Sequence, residues 1–318
     1  MKPFLTTAQA AQLLRQGEVV AFPTETVYGL GADATNDTAA EKIFTAKGRP
    51  NDNPLIVHIV GAAQLPDVVS EVTPIARKLI DAFWPGALTV ILPKHKSLSD
   101  GVTAGLQTVG VRVPSHPVAL ELLREVGLPI AAPSANISGK PSPTTAQHVV
   151  DDLHGRIAGI VDGGSCQVGL ESTVVDCTAG IPVILRPGGV TREELQNVLG
   201  DGVLDVSRTT EGGRPYDVSP RSPGVKYKHY ATKAPLVIVG DDIAKIAAQA
   251  QRDGKKIGIM QNNTAETLYA ILREFDKQDL DVIYCKGVYD EVIMNRLEKA
   301  SCGTHWGAPP TSSYPENA

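Results

Sequence analysis

Closely spaced cysteines are missing from this chain. Its four cysteines, Cys166, Cys177, Cys285 and Cys302, include no Cys-x-x-Cys pair and no two at a close metal-ligand spacing. That argues against structural zinc and against a disulfide scaffold, and it fits a reducing cytosol. No apolar run is long enough to span a bilayer. Met1 to Gly17 has helix-like polar spacing without a long apolar core, so no signal peptide is expected and the expected location is cytoplasmic. Basic charge is not in excess either. With 30 Lys and Arg against 35 Asp and Glu, the formal net charge is −5. A broad basic surface for nucleic acid is disfavoured, whereas a local basic pocket is not. There is no Gly-x-Ser-x-Gly elbow, no evident Cys–His pairing and no internal repeat.

What is present is a chain of 318 residues, a length that favours two domains. Hydrophobic residues make up 42% and charged residues 20%, which fits a packed core and argues against global disorder. The first part alternates strand and helix patterns. Strands are expected at Glu18–Phe22, Leu55–Val60, Leu88–Pro93, Gly110–Val113, Ile130–Ala132, Ile160–Asp162, Ser172–Asp176 and Val183–Arg186. Helices are expected at Thr38–Ala46, Pro74–Phe83, Pro117–Val126, Thr144–Leu153 and Thr191–Leu199. Many of the strands are apolar without alternation, as in a sheet covered on both faces. Their uneven spacing predicts a twisted mixed sheet. Ser207–Pro235 is rich in Gly, Pro, Ser and charge and reads as a linker. Beyond it, three strand–helix units between Leu236 and Ala300 predict a small parallel α/β sheet. The tail from Ser301 has no periodicity and is expected to be disordered or loosely docked.

The densest polar segment is Leu128 to Thr145, where a short strand candidate runs into a loop of hydroxyls and an amide. Open α/β sheets bind ligands at the carboxyl ends of their strands. Ser142, Pro143 and Thr144 read as a capped helix start, which is also suited to an anion. Lys47-Gly-Arg49-Pro offers two cations that suit phosphate, or a helix end whose basic residues complement the dipole. His58 stands between apolar neighbours, as a core histidine or a ligand. Gly29-x-Gly31 lacks a strand–turn–helix context and is discounted as a dinucleotide fingerprint. Thr24 and Thr26 are better placed to contact a small ligand. Arg112 lies inside an apolar strand and therefore needs an anion, supplied by a protein carboxylate or a substrate carboxylate. The glycine-rich segment Asp162 to Thr173 is not a Walker A motif, because Leu170 and Glu171 stand where lysine and a hydroxyl residue belong. Cations, hydroxyls and amides dominate, an inventory for charge stabilisation more than for covalent catalysis.

Read together, Pro23-Thr-Glu-Thr-Val-Tyr-Gly-Leu, Lys47-Gly-Arg-Pro, Asn53-Pro-Leu-Ile-Val-His, Pro133-Ser-Ala-Asn, Gly169-Leu-Glu-Ser-Thr, Leu185-Arg-Pro-Gly, Ser222-Pro-Gly-Val-Lys-Tyr-Lys-His-Tyr and Asn295-Arg-Leu-Glu-Lys-Ala resemble the threonylcarbamoyl-AMP synthase family in its long two-domain form. The resemblance runs from near the N-terminus to about Ala300. Two departures are apolar swaps: Ala87 where the family usually has proline, and Val225 for a usual methionine. The resemblance implies a twisted mixed-sheet YrdC-like catalytic domain over residues 1–206, a linker over 207–234 that closes over the active site, a small Rossmann-like three-layer domain over 235–300 and a tail over 301–318. It implies a nucleotidyltransferase that condenses L-threonine, bicarbonate or CO2, and ATP into threonylcarbamoyl-AMP and pyrophosphate for tRNA modification. Thr26, His58, Arg112 and Ser172 would then surround threonine. Arg49, Asn53, Thr108, Ser134, Ser142, Arg186 and either Tyr227 or Tyr230 would contact ATP. Lys47, Arg49, Ser134 and Asn136 would form the catalytic Lys-x-Arg and Ser-x-Asn signature. Mg2+ is expected with ATP, with no protein side chain as metal ligand. The expected downstream partner is the machinery that transfers threonylcarbamoyl to tRNA. The competing reading is a non-catalytic RNA-binding or regulatory protein on the same fold, and weak RNA binding is compatible with either.

Overall fold

The computed structural model describes residues 4–200, 202–205, 229–261, 263–301 and 303–306. The chain divides into two compact units, Met1–Ser138 with Ser142–Tyr227, and Gly139–Pro141 with Lys228–Ala318.

In the first unit the strands are β1 (Phe4–Leu5), β2 (Val20–Phe22), β3 (Gly29–Asp33), β4 (Ile56–His58), β5 (Leu88–Pro93), β6 (Thr108–Arg112), β7 (Ile130–Ala131), β8 (Gly159–Val161), β9 (Thr173–Asp176), β10 (Val183–Arg186) and β11 (Leu204–Asp205). They form a mixed sheet in the order β1-β8-β2-β3-β7-β4-β6-β5-β9-β10-β11. The helices are α1 (Thr7–Arg15), α2 (Asp37–Lys47), α3 (Pro74–Phe83), α4 (Asp100–Thr103), α5 (Pro117–Val126), α6 (Ala146–Leu153) and α7 (Arg192–Leu199). Their starts follow local chemistry. Thr6 with Gln9 and Thr191 with Glu194 make capping boxes, and Pro74 and Pro117 occupy first turns.

Successive strand residues feed opposite faces of the sheet. Val20 and Phe22 pack with Ala10, Leu14 and Leu122 from α1 and α5. Ala21 joins the larger core with Ile43, Leu79 and Leu195 from α2, α3 and α7. Burial on both faces explains why the strands read as continuous apolar runs. Between β4, β5 and β9, Ile56, Ile91 and Val174 form a smaller cluster of their own. His58, Arg112 and Thr89 share this face by alternation, because Ile56 pairs with Gly110, His58 with Arg112 and Thr89 with Val174.

Two expectations need correction here. No helix starts at Ser142–Thr144. The Pro143 carbonyl accepts from Tyr28 N, and the Thr144 carbonyl accepts from Cys166 N. Neither oxygen serves a helical turn, so Thr145 becomes the cap and α6 begins at Ala146. The segment containing Gly29 and Gly31 is strand β3, which had not been expected as a strand. A Cβ at Gly31 would stand 2.8 Å from Phe22 Cε1 and 3.0 Å from Ile130 Cγ2, so close packing accounts for this glycine.

The second unit contains β12 (Leu236–Val239), α8 (Ile243–Arg252), β13 (Ile257–Met260), α9 (Leu268–Asp276), β14 (Val282–Lys286), α10 (Glu291–Ser301) and β15 (His305–Trp306). The sheet is parallel throughout, in the order β13-β14-β12-β15. Of the tail, expected to be disordered or loosely docked, His305 and Trp306 are docked as strand β15, paired with Ile238 and Val239. Residues 307–318, residue 206 and residues 207–228 of the expected linker lie outside the described residues.

Candidate active site

Arg112 ends β6 beside His58, the last residue of β4, and the two strands run parallel. Carboxyl ends of neighbouring parallel strands therefore present a cation and an imidazole together. The guanidinium is buried and has a protein anion: Nη2 donates to Glu25 Oε1 at 2.5 Å, and the two side chains are 4% and 7% exposed. Nη1 donates to Thr26 Oγ1 at 2.8 Å and Nε to the Gly86 carbonyl at 3.1 Å. Among the described residues three of the five N–H groups are thus engaged, leaving one on each terminal nitrogen. The second carboxylate oxygen of Glu25 accepts from Ser115 N at 3.0 Å. Thr26 Oγ1 also meets Thr24 Oγ1 at 2.8 Å.

Electrostatics in this cluster follow from burial. Burial acts to raise the Glu25 carboxyl, but the Arg112 charge and hydrogen bonds outweigh it and hold the group below the ordinary glutamate value. Burial first, and then the Arg112 charge, push the His58 imidazole down to about 3. His58 is therefore neutral, and its Nδ1 is buried without a hydrogen-bond partner among the described residues. Burial likewise lowers His116. It pushes the Cys166, Cys177 and Cys285 thiols up to about 12, so none of the three is a thiolate nucleophile at neutral pH.

A second group is built on Glu171 and Ser172, just before β9. Ser142 donates its hydroxyl to Glu171 Oε1 at 2.6 Å. Ser172 Oγ meets Thr89 Oγ1 at 2.8 Å. Arg186, at the end of β10, donates from Nε and Nη2 to the Ser172 carbonyl at 3.1 and 2.9 Å, and from Nη2 to Ser172 Oγ at 3.2 Å. The backbone presses closely here. A Cβ on Gly188 would lie 2.3 Å from the Glu171 carbonyl oxygen and 2.5 Å from Thr173 N, so only glycine fits in the Arg-Pro-Gly turn.

A third group joins the end of α2 to the loop after β7. Lys47 is buried, and its Nζ donates to the carbonyls of Ser134 and Asn136, the latter at 2.7 Å. Gly48 closes α2 in the left-handed conformation, φ 63°, which turns the chain towards Arg49. Arg49 Nη2 donates to the Asn53 carbonyl at 3.0 Å, and the guanidinium lies 5.8 Å from the Phe44 ring centre.

The expected residues thus fall into groups: Thr26, His58 and Arg112; Ser142, Ser172 and Arg186; Lys47, Ser134 and Asn136; Arg49 and Asn53. Thr108 opens β6, four residues before Arg112, which at the rise of a strand is about 13 Å away, so it does not join the Arg112 cluster. Tyr230 belongs to the second unit, where it is buried and its ring stacks on Tyr269 at 5.0 Å. Tyr227 lies outside the described residues. Sequence reasoning left Glu25, Thr89 and Glu171 out of the site. Glu25 and Glu171 each precede an expected threonine contact directly, and that adjacency was the available signal.

The family described as "Telomere recombination" matches residues 12–188, and the family described as "Threonylcarbamoyl-AMP synthase, C-terminal domain" matches residues 190–302. A Threonylcarbamoyl-AMP synthase of Bacillus subtilis is 49% identical over 93% of each chain. One from Pyrococcus abyssi is 43% identical over 92% of this chain and 93% of its own. The crystal structure of P. abyssi Sua5 complexed with L-threonine superimposes with a TM-score of 0.89 at 42% identity, covering 94% of this chain and 95% of that one. The chain belongs to the threonylcarbamoyl-AMP synthase family in its two-domain form.

Proposed function

We propose that the protein is an L-threonylcarbamoyladenylate synthase, a nucleotidyltransferase that joins L-threonine, bicarbonate or CO2, and ATP and releases pyrophosphate. One observation carries the reading. Arg112 and His58, buried side by side on paired strands, keep two guanidinium N–H groups and one ring nitrogen without a partner among the described residues. Buried polar groups of this kind are otherwise satisfied. A small carboxylate-bearing substrate completes them, and L-threonine is the ligand of the P. abyssi relative.

In this reading the carboxylate of threonine takes the remaining N–H groups of Arg112, with Thr26, His58 and Ser172 around it. The amine forms an N–C bond to CO2 and loses a proton, giving a carbamate. A carbamate oxygen then bonds to the α-phosphorus of ATP, and the α–β bridging oxygen leaves with pyrophosphate. Arg49, Asn53, Ser134, Ser142 and Arg186 are proposed to hold the nucleotide, with Thr108 and a linker tyrosine farther along it. Holding two reactants in one orientation supplies much of the acceleration, and fixed cations stabilise charge on the phosphate oxygens. Among the described residues no three His, Cys, Asp or Glu side chains converge on one point. Mg2+ is proposed to arrive with ATP, on its phosphates. The product is an acid anhydride, suited to hand its threonylcarbamoyl group to the machinery that modifies tRNA. No helix among the described residues is long and apolar enough to cross a membrane.

Mass spectrometry of the reaction mixture tests this reading. Threonine, ATP and bicarbonate should yield an adenylate carrying threonine and one carbon from labelled bicarbonate. Adenylate without the labelled carbon would rule it out.

A further inference from the structure

The buried pair of Arg112 and Glu25 carries a consequence for which substrates the site accepts. Its partners are fixed on every side. Glu25 takes Arg112 on one oxygen and Ser115 N on the other, while Arg112 takes Thr26 and the Gly86 carbonyl as well. His58, alongside, is neutral. The fixed charges of the cluster therefore sum to zero. The reaction proposed above runs among anions: bicarbonate, ATP and pyrophosphate. A lone buried guanidinium would attract each of them, because charge interactions are strong where water is excluded. With Glu25 in place, a plain anion meets attraction and repulsion together. A zwitterion is different, because its ammonium is attracted by the charge that repels its carboxylate.

We propose that Glu25 acts through Arg112 as the selectivity residue of the amino-acid site, cancelling the guanidinium charge so that the site takes a zwitterion in preference to a simple anion. The same carboxylate holds the guanidinium in one orientation, with its two remaining N–H groups available to a ligand. Glu25 is in this sense a positioning residue. The inference rests on the reading of the Arg112 cluster as the threonine site.

The test uses the full chain and (R)-3-hydroxybutyrate, which keeps the carboxylate, hydroxyl and methyl of threonine and lacks the amine. Its inhibition constant against threonine is divided by the KM for threonine. In the wild type this ratio should exceed about tenfold, and in Glu25→Gln it should fall by at least about tenfold, the scale expected when one charge is removed from a buried pair. Glu25→Asp, which keeps the charge, should hold the ratio within about threefold of the wild type, a spread of well under 1 kcal/mol. A ratio that is unchanged in Glu25→Gln, whether both ligands weaken equally or neither moves, overturns the proposal. So does a wild type that binds the amine-free analogue as tightly as threonine, a measurement that stands even where the Gln variant does not fold. Pyrophosphate release by the wild type that ignores threonine would instead defeat the underlying threonine reading, so the two failures are distinguishable.

Discussion

Lys47 Nζ lies 2.7 Å from the carbonyl oxygen of Asn136 and donates as well to that of Ser134. The lysine of the Lys-x-Arg signature thus grips the backbone of the Ser-x-Asn signature, 89 residues away in sequence. The structure gives this lysine a shaping role in addition to whatever charge it offers a phosphate. Lys47→Met should lower unfolding stability by about 2 kcal/mol, the scale of hydrogen bonds to a charged group. Lys47→Arg should not restore it, because a planar fork does not replace a point donor between two carbonyls. Urea unfolding of both variants checks this. Unchanged midpoints would show that the grip contributes nothing.

Arg112→Ala should weaken threonine use by about 1.5–3 kcal/mol in kcat/KM. It should also destabilise the first unit, because it leaves Glu25 buried without its cation. Steady-state kinetics with threonine varied at saturating ATP reads the first effect and urea unfolding the second. An unchanged threonine requirement would remove Arg112 from the site.

The pH dependence of stability has a definite sign. His58 is neutral when folded, with its value pushed down to about 3, whereas the unfolded chain takes up a proton near the ordinary 6.5. Stability from this group is therefore complete above pH 6.5 and declines as pH falls towards 3. Glu25, held below its ordinary value, adds a further loss below about pH 4.5. Between pH 7 and pH 5 the His58 contribution is about 2 kcal/mol. His58→Gln should flatten that slope, and urea midpoints at the two pH values measure it. A variant that keeps the wild-type slope would show that His58 is not buried in its neutral form.

Local pattern made much of the fold legible, and long-range partners account for what it missed. Pro74–Phe83 and Pro117–Val126 begin at prolines behind capping residues, and both helices have the expected bounds. Leu88–Pro93 likewise matches its strand. The start of α6 was misplaced because the Pro143 and Thr144 carbonyls are used by Tyr28 and Cys166, from distant segments. Arg112 clearly required an anion, but Glu25 stands 87 residues earlier, and nothing local pairs the two. Strand β3 was missed because glycines break its apolar pattern for the benefit of Phe22 and Ile130. The candidate site residues were named through resemblance more than through pattern, since hydroxyls and cations in loops look alike until the sheet brings them together.

Two glycines separate packing from conformation. Gly188→Ala would drive a Cβ into the backbone of Glu171 to Thr173, with no flexible neighbour to yield, and should cost at least about 3 kcal/mol and most of the activity. Gly48→Ala meets nothing within 4 Å, so only its left-handed φ opposes the change, at about 1 kcal/mol. Thermal unfolding of the two variants compares them directly. Equal costs would contradict the close approach at Gly188.

The most direct measurement is pyrophosphate release from ATP by the full chain, with threonine and bicarbonate each added or withheld. Release that requires both together is the predicted result, because the carbamate must form before the α-phosphate is attacked. Release at the same rate without threonine would contradict the account.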